Sequence, residues 1–117
     1  MLFMTFAANE YSEAAALEAL LARVAHGDRD ALGEVYERTH TAVFGFAMSM
    51  SQSPSDAEDI LHDTYLAVYS SAENYTAKGK PMAWIMTIAK NLARMQMRKA
   101  KRIADAPDDD WGRYLSA

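Results

Sequence analysis

The 117-residue chain contains no cysteine. That excludes a disulfide scaffold, a cysteine-ligated zinc site and thiolate catalysis. Proline and glycine are scarce, at three and five residues. β-Branched runs are absent as well, so helix is the default conformation. No apolar run approaches the roughly 18 residues that a membrane helix needs, so no membrane insertion is expected. The opening Met1 to Ala8 is apolar, but it lacks a basic flank and is too short for a signal peptide. A soluble, cytoplasmic protein is the expectation. No serine–histidine–acid cluster, glycine-rich phosphate loop or other catalytic signature occurs. One further absence is local: between Asn74 and Arg102 there is no acidic residue.

What is present is half apolar and about a quarter charged, at 50% and 24%. That fits one domain with one modest core and argues against disorder throughout. The formal net charge of −4 hides a segregation. Met1 to Glu73 holds 3 basic and 12 acidic residues, a balance of −9. Asn74 to Arg102 holds 8 basic residues and no acid, a balance of +8. Ile103 to Ala117 sets Arg113 against four aspartates, a balance of −3. Asymmetry of this kind points to separate partners. The plainer alternative is two solvated faces that neutralise each other within the fold.

The pattern predicts four helices with short connections, an all-α small bundle. Ser12 is placed to cap a first helix reaching about Ala25, with Leu17, Leu20, Leu21 and Val24 on one face. Gly27 stands where a helix C-terminus takes a left-handed residue. Asp28 then caps a second helix over about 30–50, lined by Leu32, Val35, Tyr36, Thr39, Val43, Phe46 and Met50. Ser53 and Pro54 open a third helix reaching about Ser71, with Ala57, Ile60, Leu61, Thr64 and Val68 as its core stripe. Pro81 opens a fourth, reaching about Arg102. Residues 1–11 form an N-terminal segment, 12–102 the helical domain, and 103–117 an acidic linker or tail.

The fourth helix carries two stripes. Ile85, Ile88, Leu92 and Met95 make the expected packing face. Lys90, Arg94, Arg98 and Lys101 fall roughly 120° away by the helical repeat, with Arg102 beyond them. Such a cationic row is an electrostatic footprint for nucleic acid. Trp84 and Asn91 lie on the border, where a tryptophan either stacks on an unpaired base or anchors the core. The preceding loop joins Tyr75 and Thr76 to Lys78, Gly79 and Lys80, groups suited to holding a splayed-out base.

On the third helix Asp56, Asp59, Asp63 and Leu66 share the stripe opposite the core, flanked by Glu58, His62 and Tyr69. Acids around an exposed leucine form a docking surface for a basic partner, though a lone exposed leucine is ordinary.

These residues carry a resemblance. Ser55-Asp-Ala-Glu-Asp-Ile-Leu-His-Asp-Thr-Tyr-Leu-Ala-Val-Tyr69, followed by Pro81-Met-Ala-Trp-Ile-Met-Thr-Ile-Ala-Lys-Asn-Leu-Ala-Arg94, resembles region two of bacterial sigma factors of the extracytoplasmic-function group. The likeness covers about Ala31 to Arg102. It implies that the helix bearing Asp56, Glu58, Asp59, His62, Asp63, Leu66 and Tyr69 binds core RNA polymerase. It also implies that Tyr75, Thr76, Lys78, Lys80 and the fourth helix bind promoter DNA. There they recognise and melt the minus-ten element and hold its non-template strand, with no cofactor and no catalysis. An anti-sigma factor is a further partner the resemblance allows.

The chain departs from the family where His62 replaces the usual glutamine and Tyr69 the usual tryptophan. It also stops after the acidic stretch, where the family continues into region four. An excised domain and a protein lacking that second reader both fit. A sigma-like decoy that binds an anti-sigma factor without DNA is the rival reading, and it is expected to lose the cationic face. A metal-binding helical bundle is remoter. Glu37-x-x-His40 and Asp59-x-x-His62 have the carboxylate–histidine spacing of di-iron bundles. The fourth helix, however, supplies no acid to complete a ligand set, so no metal is expected.

Overall fold

The computed structural model describes the backbone of residues 2–76 and 79–105, and within those ranges the side chains from residue 13 onward. Among the described residues four α-helices follow one another: α1 (Leu2–Ala25), α2 (Arg29–Met50), α3 (Pro54–Ser71) and α4 (Pro81–Ala104). A single 3-10 turn, Ala72–Asn74, follows α3. No strand occurs among the described residues, and the all-α bundle read from the pattern is the fold observed.

The helix boundaries follow from local chemistry. At the end of α1, Gly27 adopts φ 87°. Its N–H donates to the Val24 carbonyl at 2.8 Å and the Asp28 N–H to the Arg23 carbonyl at 3.1 Å, the paired bonds that close a helix on a left-handed residue. Asp28 then starts α2 by accepting from the Ala31 N–H at 3.1 Å. That backbone donor first, and the Arg23 guanidinium 2.9 Å away second, hold its carboxyl below the usual carboxylate range. α3 begins at Pro54, with the Ser53 hydroxyl accepting from the Asp56 N–H at 3.2 Å. The last turn of α4 holds Lys101 and Arg102, the charge sign that suits a helix C-terminus.

α2 packs against both α1 and α3, and α3 packs against α4. The main core joins Leu21 and Val24 of α1, Val35 and Val43 of α2, Val68 of α3 and Ile85 of α4, none more than 1% exposed. A smaller cluster, Ala47, Ala57, Ile60 and Ala93, closes the other end. Every residue of the expected α3 stripe is buried, and Tyr65 joins them.

Three expectations need correction. Ser12 does not cap α1. The helix already begins at Leu2, because 2–11 contains no glycine or proline and extending a formed helix outweighs the roughly 1 kcal/mol a cap contributes. In α2 the buried line is Ala31, Val35, Thr39, Val43 and Ala47, four residues apart. Phe46 and Met50 are only half-buried. In α4 the buried line is Pro81, Ile85, Ala89 and Ala93, and Met95 is 60% exposed instead of packed. In both helices small alanines sit at the closest approach and push the larger side chains to the flanks. Beyond Ala93 the inward position is Gln96, whose side-chain amide donates to the Asp56 carbonyl at 3.2 Å.

Candidate functional site

The outer side of α4 is a solvent-facing cationic row. Lys90, Asn91, Arg94, Arg98, Lys101 and Arg102 are all exposed. Lys90, Arg94 and Arg98 recur every fourth residue, about 6 Å apart along the axis. The Ile85–Ala89–Ala93 line buries the opposite side and fixes the direction in which the cations point.

The loop before α4 is tied to the body at two points. Tyr75 is half-buried, and its hydroxyl donates to Glu18 Oε1 at 2.6 Å. Its ring centroid lies 5.0 Å from that of Trp84, tilted by 45°. Trp84 is half-buried and packs against the core, as the anchor role expects. Across the loop, the Gly79 N–H donates to the same Glu18 oxygen at 3.0 Å. Thr76 and Lys80 are exposed. Lys78 and the acidic stretch from residue 106 lie outside the described residues. Sequence reasoning missed Glu18, because a glutamate 57 residues before Tyr75 carries no local signal of that contact.

On α3, Glu58, Asp59, His62, Asp63, Leu66 and Tyr69 are exposed, with Leu66 at 68% the most exposed large apolar side chain described. Asp56 differs from expectation. It is half-buried in the first turn, where its backbone carbonyl accepts from Gln96 and it lines a groove with α4, so it is less open than the other acids of α3.

The acidic and basic faces meet along the α3–α4 seam. A groove of about 690 Å³ has Asp59, His62 and Asp63 on one wall and Leu92, Arg98 and Arg102 on the other. A neighbouring groove of about 660 Å³ sets Asp56 and Ser51 against Arg94, Arg98 and Lys101. Yet among the described residues the ion pairs are Arg23–Asp28 and Arg38–Glu13, both outside this seam. The two faces therefore do not neutralise each other through contacts. Both remain open to charged partners.

His40 and His62, one from each candidate metal pair, line the same shallow groove, but among the described residues they complete no ligand set. His40 uses Nδ1 on the Tyr36 carbonyl at 2.9 Å and stacks on the Tyr36 ring at 4.7 Å. His62 faces solvent on α3. No group of three or more potential ligands converges among the described residues.

The sigma-70 region 2 family model matches residues 35–103, which spans the seam, the loop and the cationic row. The chain belongs to that family, which is not in general a class of enzymes. Its relatives include the ECF RNA polymerase sigma factor SigK of Mycobacterium sp. (strain KMS), 39% identical over 83 residues. The protein of the same name from Mycobacterium ulcerans (strain Agy99) is 36% identical over 83 residues. The Mycobacterium tuberculosis (strain ATCC 25177 / H37Ra) protein is 35% identical over the same length. Each match covers 70% of this chain and 43–44% of the relative, so the chain spans less than half the length of the curated relatives it matches. No solved structure matches significantly. No helix among the described residues is long and apolar enough to cross a membrane.

Proposed function

We propose that this chain is a cytoplasmic promoter-recognition module of a sigma factor. α3 docks on core RNA polymerase through Glu58, Asp59, His62, Asp63, Leu66 and Tyr69, with Asp56 at the edge of that surface. α4 and the preceding loop receive the non-template strand of the minus-ten element. Trp84, Lys80, Thr76 and Tyr75 stand where a base leaves the stack. Lys78 completes the loop, and Asn91 with the arginines and lysines of α4 follows the phosphates.

Promoter opening on this reading is driven by binding, with no bond made or broken and no cofactor. Capture of exposed bases and strand phosphates offsets an unstacking cost of a few kcal/mol. The observation that carries the reading is the exposed Lys90–Arg94–Arg98–Lys101 row, which among the described residues forms no ion pair, beside an acidic face that likewise forms none there. A decoy that never meets DNA has no use for that row. An anti-sigma factor is a further partner for the same α3 face.

The test is co-purification of the full chain with core polymerase, followed by transcription from a promoter library. Retention on core and transcription from a restricted set of promoters is the expected result. Failure to bind core would favour the decoy reading.

A further inference from the structure

Glu18 lies on α1, outside the matched family segment. Its Oε1 nevertheless accepts from both sides of the loop that leads into α4. Tyr75 Oη donates at 2.6 Å before the loop, and the Gly79 N–H donates at 3.0 Å after it. Gly79 holds φ 72°, a left-handed conformation that favours glycine. Tyr75, held by Glu18, packs its ring against Trp84 in the first turn of α4. One carboxylate oxygen thus fixes the loop's two ends and the aromatic pair at the head of α4.

We propose that Glu18 is a positioning residue for base recognition. It holds Tyr75 and Gly79, and through Tyr75 the Trp84 ring, at the head of α4 where an unstacked base is received, so it governs which base is accepted and contributes little to phosphate affinity. The proposal rests on the promoter-recognition reading above. It goes beyond that reading by assigning sequence selectivity to a residue of α1.

The latch and its role are tested separately on the full chain. Glu18→Ala removes the acceptor. Glu18→Gln keeps an oxygen acceptor and removes the charge. Amide hydrogen exchange at Gly79 reports the latch without DNA. Selection from a randomised single-stranded DNA heptamer library, at low and moderate salt, reports base preference. In Glu18→Ala, Gly79 exchange should rise about tenfold or more, and affinity for the sequence the wild type selects should fall about tenfold. Affinity for non-selected heptamers and the salt slope should stay unchanged, because the cations of α4 are untouched. Glu18→Gln should keep both Gly79 protection and base preference. Unchanged Gly79 exchange in Glu18→Ala overturns the latch. Faster exchange with intact base preference overturns the positioning role. A wild-type chain with no base preference overturns the promoter reading itself, and the proposal falls with it.

Discussion

The Tyr65 phenol donates its hydrogen bond to the Thr39 hydroxyl, 2.6 Å away across the α2–α3 interface. The direction follows from a third group. Thr39 already donates its one hydroxyl proton to the Val35 carbonyl at 2.6 Å, and a carbonyl can only accept. The two variants that break the pair are therefore unequal. Tyr65→Phe leaves Thr39 bonded to Val35 and should cost about 1 kcal/mol. Thr39→Val keeps the shape but leaves the Tyr65 hydroxyl buried without its acceptor, and should cost more, about 1–3 kcal/mol. Urea denaturation of both variants checks the order. A larger loss in Tyr65→Phe would reverse the assigned donor.

The same phenol makes stability depend on alkaline pH. Burial raises the Tyr65 pKa above its ordinary value of 10.0. The unfolded chain then releases this proton at lower pH than the folded one. The contribution is complete below pH ~10 and is lost as pH rises through the folded-state value. Wild type should therefore lose stability above pH ~10 more steeply than Tyr65→Phe, in melting temperatures followed by circular dichroism.

Much of this architecture was legible because each helix boundary is written locally. Gly27, Asp28, Ser53 and Pro54 act through neighbours within five residues, which is the range a linear pattern reveals. The α3 stripe was legible for the same reason. What escaped depends on distance in space. Ala89 and Ala93 form the inner line of α4 because neighbouring helices come close there, and that approach leaves Ile88 and Leu92 on the flanks. The Gln96–Asp56 bond and the Glu18 latch join residues 40 and 57 apart or more. Segregated charge was visible in the chain. That the two signs meet along one seam without pairing was not, because it depends on how α3 lies against α4.

If the α4 row follows a phosphate backbone, reversing it should show in the salt dependence. Arg94→Glu with Arg98→Glu should weaken binding of single-stranded DNA by at least tenfold at low salt. It should also lower the steepness of log affinity against log salt by about 1.4, since each neutralised phosphate of a single strand contributes about 0.7. Both residues are exposed and form no ion pair among the described residues, so the thermal midpoint should hardly change. Fluorescence anisotropy with a labelled oligonucleotide across a salt series measures both quantities. Unchanged binding at low salt would remove this face from the DNA interface.

The acidic wall gives the complementary experiment, and the shared groove makes it more discriminating. Asp59→Lys with Asp63→Lys replaces two exposed carboxylates on the proposed polymerase face. Association with core polymerase should be abolished in co-purification, because a basic partner surface meets repulsion where it met attraction. The same two positions look across the seam at Arg98 and Arg102. Removing their negative charge should therefore leave single-stranded DNA binding intact or strengthen it at low salt. Loss of polymerase with DNA binding kept assigns the two faces to different partners. Loss of both, with the helical signal preserved, would mean that one surface serves both partners. Retained association with polymerase would take α3 out of the interface.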